Sequence, residues 1–265
     1  MLLASGTLLL FFEACGGDDG ASIAPPTQDS SLPEETGTDA NTPDVTMEAE
    51  TSPPLDAARF CSTQTTADLC EDFEGAFPPS GWTTQVPEAG TLLATPGYAQ
   101  RGMSARIRAH DAGTEDGTFI AHAFAFGPAK NKLVVSARIK TVSIDLPYGV
   151  TPILVIALGN DHFVTFAMTG ALPAAFSSNK AANGSSPGPT FSASFTFDTW
   201  HLVELEIERG AADTTFTARL DGKTVGSDAI APVDGVAKSI AVGVRTDRNQ
   251  GNRTISADEV VVRTE

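Results

Sequence analysis

The amino-acid sequence predicts an all-β fold in which two antiparallel sheets pack face to face as a β-sandwich or jelly roll. Through most of the chain, apolar residues recur at every second position, which is typical of strands with one buried face. Glycine, proline, aspartate and asparagine turn signals separate these runs. No window sustains the 3.6-residue period of an amphipathic helix. About thirteen strands over roughly 200 residues indicate a single sandwich domain.

The apolar pattern takes two forms along the chain. In three segments the apolar positions alternate with polar ones, and we expect the apolar side chains to face the core. These segments span residues 103–109, 133–139 and 214–220. In three other runs the odd-numbered and the even-numbered positions are both apolar, which predicts strands covered on both faces. They span residues 119–126, 153–158 and 163–168.

One turn can be predicted in detail. The dipeptide Asp221-Gly222 lies between two strand-like segments. Two-residue hairpins of type I′ need positive φ at both central residues, and Asp-Gly is among the dipeptides that adopt it most readily. The sequence therefore predicts a type I′ hairpin at this point.

The first 58 residues differ from the rest of the chain. Residues 1–12 form an apolar run that is too short for a bilayer core of roughly 30 Å but is typical of a secretory signal peptide. Residues 15–58 carry ten acidic side chains and six prolines but no Lys or Arg, so we expect a disordered, extended acidic tether. The chain thus divides into a signal peptide (1–14), this tether and a folded domain (59–265).

Net charge excludes one class of function. The whole chain carries a formal charge of −16 at pH 7 and has a sequence pI near 4.5. From residue 59 onward, 22 acidic residues stand against 17 basic ones, so the domain itself carries −5. Because phosphate recognition needs a basic surface, we expect no nucleic-acid partner.

A short motif ends the signal segment. The residues FEACG at positions 12–16 resemble a bacterial lipobox, in which a small residue precedes the cysteine that becomes lipidated and N-terminal. The resemblance implies a lipid anchor on Cys15 and membrane contact through that anchor only. A triacylated cysteine carries more than one acyl chain, which stable anchoring requires. We therefore expect an exported lipoprotein of the cell envelope, in the outer membrane or at the surface.

The other two cysteines lie at the start of the domain. Cys61 and Cys70 are nine residues apart in a chain that we expect to be exported, which predicts a disulfide closing a short loop. A Cys-Cys metal site would need further soft ligands, and the four histidines lie far apart in the sequence. A structural bridge is the favoured interpretation.

Three blocks of the domain carry a resemblance to a known family. They are LCEDFEG at 69–75 with Trp82 soon after, WHLVELE at 200–206 followed by FTARLDGK at 216–223, and SADEVVV at 256–262. These blocks resemble the opening strand, a Trp-led strand with its Asp-Gly hairpin, and the closing strand of concanavalin A-like lectin/glucanase jelly rolls, including laminin-G-like members. The resemblance covers most of residues 65–265. It implies a fold more strongly than a function.

The same resemblance implies a structural cation. Similar jelly rolls often hold an ion between their opening and closing strands, which places calcium at Asp72, Glu74 and Asp258. Carboxylate oxygens are the hard ligands that calcium prefers. A second oxygen-rich loop spans residues 247–252, although ordinary turn chemistry explains its side chains equally well.

A row of acids offers candidate catalytic residues. Glu204, Glu206 and Glu208 alternate with apolar residues, so they share one strand face with neighbours roughly 6.6–7 Å apart. Glycosidases hold their two carboxyl groups about 5–5.5 Å or 6.5–9.5 Å apart. Similar glucanases carry Glu-x-Asp-x-x-Glu, whereas here the middle acid is Glu206 and the third comes one residue early. A solvated strand face is the simpler interpretation, and it leaves no catalytic residue assigned.

Sugar binding would use exposed aromatic rings beside polar groups. The candidates for such rings are Trp82, Tyr98, Tyr148 and His162. Trp200 is expected to anchor the core at the start of its strand instead. With only two Trp and two Tyr in the chain, a large aromatic platform is not expected.

Together these patterns favour a monomeric, non-catalytic surface-binding or adhesion module that recognises polysaccharide or another surface glycan. Two alternatives remain open. One is a glycoside hydrolase or lyase that uses Glu204 and Glu206. The other is a structural envelope lipoprotein without a ligand.

Overall fold

The computed structural model describes most of the predicted domain. The described residues are 60–88, 90–98, 101–107, 116–127, 129–144, 150–159, 162–169, 173–180, 186–230, 232, 239–246 and 252–265. The predicted signal peptide, Cys15, the tether, Tyr148 and residues 247–251 lie outside this set. Within it, no helix is long and apolar enough to cross a membrane.

One short helix and 15 strands make up the regular structure of the described residues. The helix α1 spans Phe60–Thr63, and the strands are β1 (Leu69–Glu71), β2 (Thr83–Gln85), β3 (Gly90–Pro96), β4 (Arg101–Ile107), β5 (Asp116–Ala123), β6 (Lys132–Ile144), β7 (Val150–Ala157), β8 (His162–Thr169), β9 (Pro173–Lys180), β10 (Ser186–Ser194), β11 (His201–Arg209), β12 (Thr214–Leu220), β13 (Lys223–Ile230), β14 (Ser239–Thr246) and β15 (Arg253–Thr264).

The strands form two antiparallel sheets that pack as a sandwich. In sheet A the order is β13-β12-β11-β6-β15-β4-β3, and β1 pairs with β15 off this path. In sheet B the order is β10-β9-β8-β7-β14-β5-β2. All the described pairings are antiparallel. The predicted all-β, two-sheet jelly-roll class is therefore confirmed.

The two forms of apolar pattern belong to different sheets. The alternating segments form β4, β6 and β12 of sheet A, and the continuous runs form β5, β7 and β8 of sheet B. In β6, Val135, Ala137 and Ile139 are completely buried, and the polar residues Ser136 and Arg138 lie between them. In β8, Phe163 and Val164 point to opposite faces, and both are buried. Sheet A thus keeps one polar face, whereas the central strands of sheet B are largely apolar on both faces.

The long strand β15 lies at the centre of sheet A. One side of it pairs with β6 along nearly its whole length, while the other side pairs with β4 through residues 253–257 and with β1 through residues 260–262. Between these two stretches the register with β6 shifts, and Glu259 has a φ of 49°. This β-bulge at Asp258–Glu259 changes the twist of the strand where β4 gives way to β1.

The predicted disulfide between Cys61 and Cys70 is present, with 5.5 Å between the two Cα atoms. The loop that it closes contains most of α1 and lies against β15, where Gln64 contacts Arg263. Under the chain-entropy model, closing such a short loop stabilises the fold by about 2–3 kcal/mol. The bridge therefore fixes the start of the domain to its central strand.

The connection between β12 and β13 is the predicted type I′ hairpin. Asp221 and Gly222 both have positive φ, at 52° and 75°. Open space surrounds Gly222, because no atom lies within 4 Å of the position that a Cβ would take. The left-handed backbone is therefore the reason for glycine here. The Asp221 carboxylate also links the hairpin to β11, because its Oδ1 accepts a hydrogen bond from the Leu202 N–H at 2.9 Å.

Replacing Gly222 by alanine should lower the free energy of unfolding by about 1–2 kcal/mol, because an L side chain disfavours the left-handed conformation. Denaturant unfolding midpoints would measure the change. Gly75→Ala is the matched control, since Gly75 also has open space around it but no positive φ. We expect its effect to stay within about 0.5 kcal/mol, and equal losses in the two variants would contradict the conformational explanation.

Candidate functional site

The two sheets present different outward surfaces. We define the outer face of sheet A as the set of its side chains that point away from sheet B. This face carries charged side chains, including Arg138, Lys140 and Glu206. By contrast, outward residues of the central strands of sheet B, such as Val155 and Thr165, are uncharged. Among the strands compared, polar chemistry is concentrated on sheet A.

The three glutamates of β11 lie on the outer face of sheet A. Arg219 of β12 donates from one Nη1 atom to Glu204 Oε1 at 2.6 Å and to Glu206 Oε2 at 2.7 Å. Lys132 of β6 approaches the same Glu206 oxygen from the other side, at 3.1 Å. Glu208 is exposed. We call Lys132, Glu204, Glu206 and Arg219 the charge network.

The charge network favours an ionised Glu206. Burial of this side chain works to raise the pKa of Glu206, but the hydrogen bonds from Arg219 and Lys132 and their positive charges together outweigh burial and lower the pKa below its ordinary value. A glycosidase needs one carboxylic acid that stays protonated until it reaches the leaving group. The environment of Glu206 has the opposite effect, so the geometry favours a salt-bridged strand face.

Farther along β6 lies an aromatic-cation cluster, which consists of Tyr98, Arg138, Lys140 and Trp200. The Arg138 guanidinium carbon lies 4.2 Å from the Tyr98 ring centroid, and Lys140 Nζ lies 5.6 Å from the Trp200 ring centroid. The two rings meet edge to face, with centroids 6.1 Å apart and planes at 78°. Tyr98 is 47% exposed, and Trp200 is partly exposed. Ring surface and positive charge therefore meet at one place on the sheet.

Acidic partners hold the two cations over the rings. Glu259 Oε2 accepts a hydrogen bond from Arg138 Nε at 3.3 Å. Asp198 Oδ1 pairs with Lys140 Nζ at 3.4 Å. Because the Asp198 side chain is far more exposed than that of Glu259, Arg138 is the more firmly placed of the two cations.

A buried carboxylate positions Tyr98. Asp258 Oδ2 accepts the Tyr98 backbone N–H at 2.8 Å, and Asp258 Oδ1 accepts the Glu259 N–H at 2.8 Å. Gly97 makes this approach possible, because a Cβ at that position would collide with the same Asp258 oxygen. The bulge of β15 therefore places one ring of the aromatic-cation cluster and, through Glu259, one of its cations.

A groove continues the outer face of sheet A beyond this cluster. It is an open depression of about 540 Å³ between β3 and β6, with β4 and β15 as its floor. Its lining comprises four hydroxyl side chains, two aliphatic ones and one cation, namely Thr91, Ser104, Ser143, Thr254, Leu93, Val142 and Arg106. A cleft of this size with a few convergent polar groups is typical of a small-ligand site.

Of the four predicted sugar-binding aromatics, the three that the structure describes do not come together. Tyr98 is exposed on the outer face of sheet A, but Trp82 is 8% exposed and packs edge-on against His122. His162 is 3% exposed and makes a 2.6 Å hydrogen bond with Ser178. Trp82 and His162 therefore offer almost no ring surface to a ligand. Tyr148 lies outside the described residues.

Trp200 takes a different place from the one expected. It is not part of the buried core but lies partly exposed against Tyr98 and Lys140. The sequence contained a signal for this position. Trp200 is even-numbered like Glu204 and Glu206, whereas the side chains on the core side of β11 belong to odd-numbered residues. Alternate residues of a strand share one face, so Trp200 is expected on the outer side.

The three predicted calcium ligands are separately engaged. Asp72 Oδ2 accepts the Cys61 N–H at 3.1 Å, Glu74 Oε1 accepts the Arg101 N–H at 2.6 Å, and Asp258 binds the two N–H groups described above. Among the described residues, no group of three or more His, Cys, Asp or Glu side chains lies close enough to hold a metal ion. The structure does not gather these residues into one site, and calcium binding there stays a prediction.

Glu206→Gln should lower the free energy of unfolding at pH 7 by about 1–2 kcal/mol, since Arg219 and Lys132 lose a shared carboxylate. Because the pKa of Glu206 is lowered by folding, its carboxylate stabilises the folded state fully at pH values above the unfolded-chain pKa of about 4.3. This stabilisation disappears as the pH falls through the lower pKa of the folded state. The difference in free energy of unfolding between wild type and Glu206→Gln should therefore become smaller below about pH 4.

Unfolding midpoints at several pH values would measure this gap. Glu208→Gln is the control, because Glu208 is exposed and lies outside the charge network. Its effect should be small at every pH. A Glu206→Gln gap that does not change with pH would argue against the ionised network.

Comparison with known proteins adds information on the fold. No protein-family model matches the chain, and no curated protein matches it. Among solved structures, the cellulose-induced protein Cip1 is 10% identical with a TM-score of 0.57, over 74% of this chain and 96% of that chain. The CBM2 module of the evolved Dit of Lactobacillus casei BL23 phage J-1 is 12% identical with a TM-score of 0.50, over 74% and 94%. The receptor binding domain of botulinum neurotoxin type G is 10% identical with a TM-score of 0.50, over 76% and 48%. At these identities the likeness establishes a shared β-sandwich fold.

Proposed function

We propose that this protein is a non-catalytic glycan-binding module whose binding surface is the outer face of sheet A. The observation that carries the proposal is a pair of rings, the exposed Tyr98 and the partly exposed Trp200, next to two cations and a hydroxyl-lined groove. Sugars offer apolar C–H faces to aromatic rings and hydroxyl groups to polar side chains, so this combination suits them.

The aromatic-cation cluster and the groove are parts of one strip. Arg138, Lys140 and Val142 occupy alternate positions of β6, each roughly 6.6–7 Å from the next. Arg138 and Lys140 belong to the cluster, while Val142 lines the groove. The strip therefore extends over about 13–14 Å along β6. An elongated ligand such as an oligosaccharide would engage it better than a single small molecule.

The charge network supports binding without catalysis. A hydrolase or lyase that uses Glu204 and Glu206 would have to free these carboxylates from Arg219, which holds both within hydrogen-bond distance. The lowered pKa of Glu206 also disfavours the protonated acid that glycoside cleavage requires. The enzymatic alternative thus has no supporting observation here. A structural lipoprotein without a ligand would bind no glycan at all.

We further propose that the module is exported and held at the cell envelope through lipidated Cys15, with residues 15–58 as an acidic tether. The supporting features are the apolar leader, the lipobox-like motif and the Pro-rich acidic composition. A tether of this kind would let the binding face reach a polymer beyond the membrane surface.

Replacement of Tyr98 or Trp200 by alanine should weaken glycan binding by roughly tenfold or more, because each ring supplies stacking surface. A glycan array would identify ligands of the wild-type chain, and titration of the best ligand would compare the variants. Val86→Ser is the control, since Val86 is an equally exposed apolar residue that follows β2 of sheet B. The proposal fails if no glycan binds, or if both ring variants bind as the wild type does.

Cys15→Ser should release the full chain from membranes, because it removes the proposed site of acylation. Fractionation of expressing bacteria into membrane and soluble fractions would measure the shift. Cys61→Ser is the control, since it alters a cysteine of the disulfide and leaves the lipobox-like motif intact. Continued membrane association of the Cys15 variant would contradict the anchor.

A further inference from the structure

The groove on the outer face of sheet A has an unusual polar composition. Among the described residues that line it, Arg106 is the single charged one of seven, and none carries a carboxylate. Four other described cations of this face are engaged: Arg219 and Lys132 in the charge network, Arg138 with Glu259, and Lys140 with Asp198. Arg106 is exposed and makes no ion pair with any described residue.

Strand register places hydroxyl groups on both sides of Arg106. Thr91 of β3 is its cross-strand partner on one side, and Thr254 of β15 is its partner on the other. Thr254 in turn pairs with Ser143 of β6. A row of three hydroxyl residues and one guanidinium therefore crosses four neighbouring strands. Side chains directly opposite each other in such a row lie about 4.5–5.5 Å apart at Cβ, within reach of one ligand group.

The walls of the groove are apolar. Leu93 is 57% exposed and Val142 is 44% exposed, although both are aliphatic. A sugar ring that enters the groove could cover these two side chains with its C–H face while its polar substituents reach the hydroxyl row. The volume of about 540 Å³ is within the range of sites that hold one or a few small rings.

The chemistry of Arg106 narrows the ligand. A guanidinium presents planar, paired N–H donors that match the two oxygens of a carboxylate. A neutral sugar would cover Arg106 without pairing its charge, which carries a desolvation cost. A densely sulfated polymer would meet a single cation in the groove of a domain whose net charge is −5, so repulsion would oppose it. The arrangement suits a sugar unit that carries one carboxylate and no further charge.

On this basis we infer that the groove between β3 and β6 is a subsite for a uronic acid unit of an acidic polysaccharide, with Arg106 pairing the carboxylate. The inference rests on the proposed glycan-binding function and specifies its ligand class. The Thr91, Thr254 and Ser143 hydroxyls bind ring substituents, and Leu93 and Val142 pack against the sugar.

Binding of the full chain to polygalacturonate and to its fully methyl-esterified form would test the inference directly, because the two polymers differ in the carboxylate. Calorimetric titration should give at least tenfold tighter binding to polygalacturonate. Arg106→Gln should weaken binding to polygalacturonate by roughly 10-fold to 100-fold and leave binding to the ester nearly unchanged. Arg106→Lys keeps the charge but loses the planar fork, so its affinity should fall between those of wild type and Arg106→Gln.

Lys223→Gln is the matched control, because it removes one positive charge from an exposed position outside the groove. Its effect on polygalacturonate binding should be less than about twofold at 0.15 M salt, where distant charges are screened. If Lys223→Gln lost as much affinity as Arg106→Gln, overall charge, and not the groove, would be responsible.

Dextran sulfate, which has no carboxylate, should bind more weakly than polygalacturonate. Equal binding of both polymers, with the same dependence on Arg106, would overturn the carboxylate assignment.

The same titrations separate this inference from the proposed function. If neutral glycans bind through Tyr98 and Trp200 and polygalacturonate has no advantage, the subsite is wrong and the glycan-binding function stands. If neither neutral nor acidic polymers bind, both are wrong. If Arg106→Gln affects the acid and the ester equally, the groove binds sugar but does not recognise the carboxylate, which also overturns the inference.

Discussion

The bulge at Asp258–Glu259 lies where one edge of β15 stops pairing with β4 and starts pairing with β1. The other edge of β15 pairs with β6 on both sides of the bulge. A regular strand at this point would continue beside β4, and the short β1 with its disulfide loop would have no edge to join. The irregularity requires Glu259 to adopt a φ of 49°, a conformation that costs an L-residue about 1–2 kcal/mol. Asp258 offsets part of that cost, since its carboxylate accepts the Glu259 N–H as well as that of Tyr98.

The same two acids connect the fold to its surface chemistry. Asp258 fixes the backbone of Tyr98, and Glu259 fixes the guanidinium that lies over the Tyr98 ring. The aromatic-cation cluster is thus placed by the centre of sheet A, and its geometry does not depend on a loop alone. Rigid placement lowers the entropy cost of binding, because fewer groups must be ordered when a ligand arrives.

Local sequence patterns predicted much of the fold and less of the site. Alternating and continuous apolar runs are properties of single strands, and they distinguished the strands of sheet A from those of sheet B. The Asp221-Gly222 hairpin and the Cys61–Cys70 bridge are likewise local. The pairing of Tyr98 with Arg138, and the row that contains Arg106, depend on which strands become neighbours. A single sequence does not contain that information in its periodicity. The exposed position of Trp200 is predictable from the sequence, because Trp200 falls at the same alternate positions of β11 as the outward-facing Glu204 and Glu206.

Long-range pairing at the centre of sheet A also bears on how the domain folds. Asp68, just before β1, binds Thr264 at the end of β15, although 196 residues separate the two. Such contacts cannot form until almost the whole domain has been synthesised, and their loop-closure entropy makes folding slow. Until then, the apolar strands of sheet B lack the layer that covers them, and an incomplete chain would be prone to aggregate. Pairing of β15 therefore joins the two ends of the domain and completes sheet A.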